Sequence, residues 1–274
     1  MAKVKTKKKR SMNVDELRAY RVAYGGKLGT KDFITYVGLP AGLFGGFSLL
    51  ILYNVWVTLA CVIVGAIYGW RVILPKSLRK QYEQQAFNQR NKFLNNMTSA
   101  LVNDNITVLM ALDKIAIRMD GEFKEHMLRY QAMLIGADTE RIREATIWFS
   151  EKYSDDVIFT QYLEQIETAL LEGKNNTDTL NDIKSYHNDI QKKQNYYEVQ
   201  KQHHVSAMKT LIIITAVFIV SLNISFGFET YIEAFARHWT GYISAAVYLI
   251  IMVFFFRQFM SYLFDDSVLE IRKK

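Results

Sequence analysis

Three uncharged stretches constrain the fold of this chain more than any other feature. No Asp, Glu, Lys or Arg occurs in residues 33–70, 210–228 or 239–256. A helix that rises about 1.5 Å per residue needs about 20 apolar residues to cross a hydrocarbon core of about 30 Å. The first stretch is nearly twice that length and predicts two helices that turn at Tyr53-Asn54, whereas the other two predict one helix each. We therefore expect four membrane spans.

The layout of these spans predicts the fold class and the segments of the chain. We expect an all-α, polytopic membrane protein in which two transmembrane helical hairpins flank a cytoplasmic helical-bundle domain. The expected segments are a basic N-terminal segment (1–32), a first hairpin (33–74), a helical domain with a stalk helix (75–208), a second hairpin (209–257) and a tail (258–274).

The basic residues predict the orientation in the plasma (inner) membrane. Residues 1–32 contain ten Lys or Arg and three acids, while the loops predicted after the first and third spans contain only Arg237 as a basic residue. Lys/Arg-rich flanks stay in the cytoplasm, so both termini and the large middle region should be cytoplasmic. Residues 1–32 account for the whole formal net charge of +7. This favours contact with anionic lipids over direct nucleic-acid binding.

Helix start and stop signals divide the middle region into several helices. Asp and Asn residues predict N-caps, and glycines predict the breaks and ends. The predicted signals are Asp104-Asn105, Asp120-Gly121, Gly136, Asp138, Asp155-Asp156 and Gly173. No breaker follows until Gly227, which predicts one long helix running into the third span. Apolar residues are sparse over 188–204, so this part should be a solvated stalk.

The chain contains no set of residues typical of catalysis. It has no phosphate-binding loop, and its five histidines do not show a metal-ligand spacing, so we expect stalk or membrane-interface histidines. We predict no catalytic, cofactor-binding or metal-binding residues, no cofactor and no enzymatic activity. The middle of each predicted span also lacks ionisable residues, which argues against a coupled carrier or an ion pump.

Glycines recur every four residues in both predicted helices of the first hairpin. They are Gly38, Gly42 and Gly46 in the first helix and Gly65 and Gly69 in the second. Small residues at this spacing let helix backbones approach closely. The glycines should pack within the first hairpin or against another subunit, and both alternatives stay open at this point. Pro40 should kink the first helix.

An acidic segment is a candidate docking surface. Residues 138–172 contain nine acids and three bases. Such a surface is either simply solvated or complementary to a basic cytoplasmic partner. The candidate docking residues are Glu140, Glu144, Glu151, Asp155 and Asp156.

The order of hairpin, helical domain, long helix and hairpin resembles the inner-membrane platform proteins of type II secretion and type IV pilus machines, the F family. A small turn followed by Leu-x-x-Ala-Leu in that family is similar to Asn103–Ile106 through Ala111-Leu112. A later element is similar to Leu171-Glu172-Gly173 and Leu180–Ile183. The resemblance covers about residues 90–257. A single copy of the domain between two hairpins looks like the tight-adherence (Tad) subtype.

This resemblance implies a non-catalytic platform that couples a cytoplasmic hexameric secretion ATPase to assembly of a pilus or a secretion or DNA-transfer apparatus. Its implied partners are that ATPase, a paralogous platform protein and pilin-like subunits, in a homo- or hetero-oligomer. Two alternatives from other classes are a small transporter or channel subunit and a membrane-anchored signalling scaffold.

Overall fold

The computed structural model describes residues 14–24, 26–102, 106–174 and 176–264, and this part of the chain is helical without a β-strand. The helices are α1 (Val14–Val22), α2 (Thr30–Leu52), α3 (Val55–Leu101), α4 (Val108–Ala116), α5 (Gly121–Leu134), α6 (Thr139–Lys152), α7 (Val157–Glu172), α8 (Thr177–Phe226), α9 (Phe228–Tyr231) and α10 (Trp239–Leu263). π-Helical turns occur in α2, in α3 and directly after α9, at Ile34–Gly38, Gly69–Ile73 and Ile232–Ala236.

Among the described residues, four helices are long and apolar enough to cross a membrane. They are α2, α3, α8 and α10, with 23, 47, 50 and 25 residues. The predicted turn between the first two is confirmed: α2 ends at Leu52, Tyr53 has a left-handed φ of 49°, and the Asn54 side chain caps α3. The prediction of one long helix ahead of Gly227 is also confirmed by α8. The chain is thus an all-α membrane protein.

The described residues form two compact units. The membrane unit contains residues 14–21, Lys27–Lys80 and His203–Phe264, and the helical domain contains residues 22–24 and 26 together with the described part of Gln81–Gln202. Both α3 and α8 contribute residues to each unit.

In the membrane unit, α2 and α3 pack backbone to backbone at two glycines of α3. A Cβ atom placed on Gly65 would lie 2.8 Å from the carbonyl oxygen of Pro40, and one on Gly69 would lie 2.8 Å from Cα of Val37. Pro40, two residues after the π-helical turn Ile34–Gly38, cannot donate a backbone hydrogen bond to the preceding turn. Gly65 and Gly69 therefore allow the two helices to pack in close contact.

The helical domain is built around an aromatic core. Phe93 of α3 contacts rings from three other helices, with centroid distances of 5.7 Å to Phe123, 6.3 Å to Phe149 and 5.9 Å to Phe159. Edge-on ring pairs at such distances add to the stabilisation that comes from burying apolar area. Tyr162 donates or accepts a hydrogen bond with Thr98 at 2.9 Å, which satisfies its buried hydroxyl.

Most predicted helix signals of this domain are confirmed. Gly121, Gly136 and Gly173 all have positive φ, of 61°, 68° and 67°. The side chains of Asp138 and Asp156 accept hydrogen bonds from the first turns of α6 and α7. The cap of α4 differs from the prediction, because Thr107 accepts the hydrogen bond from Met110. The predicted cap Asp104-Asn105, together with Asn103, lies outside the described residues.

Candidate functional site

The acidic residues predicted on α6 share one face of this helix. Glu140, Glu144 and Glu151 are separated by four and seven positions, which places all three within about 40° around the helix axis. All three side chains are exposed. Ile147 lies on the same stripe between Glu144 and Glu151, and 55% of it is exposed. We call these four residues and the exposed Asp155 the acidic surface.

The opposite face of α6 fixes this surface in place. Ala145 and Phe149 are fully buried in the core of the domain. Trp148 lies under the guanidinium of Arg129, with 4.8 Å between the guanidinium carbon and the ring centroid. The four residues of the acidic surface that lie on α6 are therefore presented on a helix held in place by core packing, as docking surfaces with defined geometry require.

Asp155 and Asp156 occupy different environments although they are neighbours in the sequence. Asp155 is exposed, whereas the side chain of Asp156 is only 9% exposed. Asp156 accepts hydrogen bonds from Arg90 Nε at 2.7 Å and from the backbone N–H of Phe159 at 3.0 Å. Its carboxylate is thus engaged within the domain, and of the two aspartates only Asp155 is placed to meet a partner.

Asp156 joins three helices through charged and polar contacts. His187 of α8 is fully buried, and its Nε2 lies 3.2 Å from Oδ2 of Asp156. The amide nitrogen of Asn91 lies 2.9 Å from Nδ1 of His187, so this nitrogen accepts and Nε2 donates to the carboxylate. The ring of Phe87 stacks on His187 with 4.5 Å between centroids. We call Arg90, Asp156 and His187 the Asp156 junction.

The Asp156 junction changes the acidity of its carboxyl group. Burial by itself raises the pKa of Asp156, but the hydrogen bond from His187 and the charge of Arg90 outweigh this effect and hold the pKa well below its usual range. Asp156 is therefore ionised throughout the physiological pH range, and its charge is balanced inside the domain.

A row of amide side chains continues from the junction along α3 and α8. Asn88 accepts a hydrogen bond from Gln191 at 3.0 Å. Asn91 donates to Asn188 at 2.8 Å, and Asn188 donates to Asn95 at 3.0 Å. We call these five amide residues the polar seam.

The sequence predicts neither the junction nor the seam. It predicts a solvated stalk over 188–204 and histidines in the stalk or at the membrane interface, and this prediction is wrong for His187, which is fully buried. The missed signal is the spacing of seven residues between Leu180, His187, Gln194 and Lys201, all of which are buried. Such a repeat predicts one helix face packed on a neighbour, but three of its four residues are polar.

The glycines of the first hairpin separate into two groups. Gly65 and Gly69 pack on α2 as predicted for contacts within this pair of helices. A Cβ atom on Gly42 or Gly46 would meet nothing within 4 Å, and one on Gly38 would meet only its own helix. These three glycines therefore do not take part in the close contact between α2 and α3.

Two buried polar atoms in the membrane unit bear on a transporter function. The hydroxyl oxygen of Ser48 and the side-chain oxygen of Asn223 have no hydrogen-bond partner among the described residues. Both residues are at most 1% exposed. In the described part of the chain, no group of three or more His, Cys, Asp or Glu could hold a metal ion. The described residues of the membrane unit thus contain two isolated buried polar atoms at Ser48 and Asn223, which do not by themselves form a polar path.

The chain has a relative of similar length in Bacillus anthracis. The four apolar helices and the absence of strands in the described part define an all-α membrane protein. The chain is 44% identical over 268 residues to the uncharacterized protein pXO2-23 of Bacillus anthracis. The matched residues make up 98% of this chain and 97% of that protein. The chain belongs to the same family as that protein. No protein-family model and no solved structure matches the chain.

Proposed function

We propose that this protein is a non-catalytic platform in the plasma membrane that couples a cytoplasmic secretion ATPase to assembly of a pilus or a secretion or DNA-transfer apparatus. The observation that carries the proposal is α8, which supplies Leu180 to the core of the helical domain and continues without interruption into an apolar span. A continuous helix of 50 residues is about 75 Å long and transmits displacement along its axis.

In the proposed topology, one transmembrane hairpin precedes the cytoplasmic helical domain in the sequence and a second hairpin follows it. Both termini are cytoplasmic. The Lys/Arg distribution supports this orientation. The close packing of α2 on α3 at Gly65 and Gly69 supports the first hairpin. Anionic lipids would meet the basic segment 1–32.

The acidic surface is the proposed docking site for the ATPase. Its carboxylates would attract a basic partner surface and orient it, and Ile147 would be buried at the centre of the contact. The proposed docking residues are therefore Glu140, Glu144, Glu151 and Asp155. Asp156 would not contact the ATPase directly, because its carboxylate is engaged by Arg90 and Phe159. Pilin-like subunits and a paralogous platform protein would meet the membrane unit, where Gly38, Gly42 and Gly46 are open.

The test is charge reversal on the exposed stripe. The variant Glu140→Lys, Glu144→Lys, Glu151→Lys should weaken co-purification with the secretion ATPase of the same organism by tenfold or more, on the order of 1.4 kcal/mol or more. Residual binding should become less sensitive to salt because screened attractions are lost. Ile147→Asp should also weaken binding, but it should change the salt sensitivity of binding less than the triple Glu→Lys variant does.

A matched control reverses three other exposed acids of the helical domain. Asp113, Glu125 and Asp182 are exposed and lie outside the acidic surface. Their combined change to lysine makes the same change in net charge and should leave binding within about twofold. Equal loss in both triple variants would show a general charge effect, and unaltered binding in the first would remove α6 as the docking site.

A small transporter or channel subunit is the second candidate function. It is favoured by Ser48 and Asn223, because unpartnered polar atoms in an apolar unit are costly and often functional. It would require an oligomer in which these residues line a common path. Solute flux in proteoliposomes that is abolished by Asn223→Leu would support it over the platform.

A further inference from the structure

Ser48 of α2 differs from five other hydroxyl residues of the membrane unit. Those five donate to the backbone carbonyl four residues earlier in the chain, and they are Thr58, Thr210, Thr215, Ser221 and Ser244. Such a bond satisfies a hydroxyl in an apolar helix without help from a neighbour. The Ser48 oxygen has no partner among the described residues, although Ser48 is fully buried. Its hydroxyl therefore still needs an acceptor.

Asn223 of α8 has the complementary requirement. Its side-chain nitrogen donates to the backbone carbonyl of Ile219 at 2.8 Å, and this fixes the orientation of the amide because only the NH₂ group can donate. The remaining atom, Oδ1, has no partner among the described residues, and Asn223 is only 1% exposed. Asn223 therefore needs a hydrogen-bond donor, whereas Ser48 carries one.

Both residues border the same apolar cluster of the membrane unit. Asn223 extends the stripe by which α8 packs in this cluster, at intervals of four, three and four residues. The other members of the stripe are Ile212, Ala216 and Ile219. On α2, Ser48 lies between Phe47 and Ile51, which belong to the same cluster. The two unpartnered atoms are therefore on helices that meet through one set of side chains.

Ser48 and Asn223 also lie at the same level of the membrane unit. Ser48 is four residues before the last residue of α2, and Asn223 is three residues before the last residue of α8. Both are therefore about 4–6 Å from these helix ends along the axes. The segments that follow the two ends are in contact, since the ring centroids of Tyr53 and Phe228 are 6.0 Å apart. A donor and an acceptor thus border one cluster at one level.

We propose that Ser48 and Asn223 form a binding site for one buried water molecule in the membrane unit. The water accepts a hydrogen bond from the Ser48 hydroxyl and donates one to Oδ1 of Asn223. A buried water needs at least two polar partners, and these two residues supply them. Lipid chains offer no hydrogen bonds, so both side chains depend on the water for their remaining bonds. The site depends on neither of the functions proposed above.

The first test is a double-mutant cycle on the purified full chain in detergent. Ser48→Ala removes the donor and leaves Oδ1 of Asn223 without its water, so it should lower the midpoint of thermal unfolding by roughly 2–4 °C. In an Asn223→Leu background, the same change should lower the midpoint by less than about 1 °C, because no buried acceptor is then left without a partner. The control Ser221→Ala removes an exposed hydroxyl that bonds within α8 and should have equally small effects in both backgrounds.

The second test detects the water by solid-state NMR on the full chain in phosphatidylcholine bilayers. With nitrogen-15 in the asparagines, magnetisation that starts on water should reach the side-chain amide of Asn223. Its signal is identified as the one missing in Asn223→Leu. The transfer should fall severalfold in Ser48→Ala, because the water then loses one of its two partners. The transfer to Asn54, which bonds to Tyr242 instead, should stay unchanged in that variant.

Equal effects of Ser48→Ala in both backgrounds would overturn the proposal, because the two residues would then act independently. A higher midpoint in Ser48→Ala alone would overturn it as well, since that result indicates a hydroxyl buried without any partner. Absence of water transfer to Asn223 in the unmodified chain would replace the water by a dry contact. Should Asn223→Leu fail to fold, Asn223→Ala takes its place in both measurements.

Discussion

At the scale of single residues, Asp156 shows how one carboxylate combines three structural tasks. It caps α7, pairs with Arg90 and accepts a hydrogen bond from His187. The sequence predicted the cap, because Asp before an apolar helix is a common N-cap. It did not predict the pairing, because Arg90 and His187 are 66 and 31 positions away and only the packed domain brings them together.

The lowered pKa of Asp156 predicts how stability depends on acidity. The unfolded chain binds this proton near the ordinary pKa of 3.8, whereas the folded domain resists binding it. The stabilisation is therefore fully present above about pH 4 and is lost as the pH falls below it. Between about pH 5 and pH 2.5, the free energy of unfolding measured by circular dichroism should fall by an amount on the order of 2 kcal/mol. The Asp156→Asn variant should not show this fall. Parallel pH dependence in both proteins would contradict this assignment.

At the scale of elements, the glycines of α2 and α3 illustrate what a sequence pattern leaves undecided. The four-residue spacing correctly predicted that Gly65 and Gly69 allow close helix contact. The same spacing occurs at Gly38, Gly42 and Gly46, whose positions are open. Both faces have the same local sequence signal, and only the three-dimensional packing of α2 decides which face meets α3.

Substitutions at Gly65 and Gly42 should separate these two faces. Gly65→Leu places a side chain against the backbone of Pro40 and Ala41 and should destabilise the membrane unit by about 1–3 kcal/mol. Gly42→Leu meets open space and should leave the thermal stability of the detergent-solubilised monomer nearly unchanged. It should reduce complex size only if another subunit packs on this face. Equal destabilisation by both variants would contradict the observed packing.

At the scale of the whole molecule, composition predicted most of the architecture. Charge-free stretches of sufficient length located the four apolar helices, and turn residues located most helix ends. The acidic surface was found from its charge, but Ile147 at its centre was not, because an exposed isoleucine and a core isoleucine have the same sequence signal. The polar seam was missed because amide residues on a helix usually indicate solvent exposure.

Reporter fusions test the proposed topology of the membrane unit. Fusions after Gln84 and after Lys274 should be active as cytoplasmic reporters, because basic residues flank the preceding helices on that side. A fusion at Glu233, between α8 and α10, should be active only as an external reporter. A cytoplasmic signal at Glu233 would contradict the proposed topology.

The segment before α2 also belongs to the helical domain, although it lies far away in the sequence. The carbonyl oxygen of Ala23 accepts a hydrogen bond from Glu122 at 2.7 Å, and the ring of Tyr24 packs on Tyr82 with 5.6 Å between centroids. Gly121 lacks the Cβ atom that would otherwise collide with Ala23. During synthesis, Ala23 and Tyr24 therefore leave the ribosome about a hundred residues before their binding site exists. The helical domain can pack on this segment only after α2 and α3 have been synthesised. Ala23 and Tyr24 must therefore stay on the same side of the membrane as the helical domain until it folds.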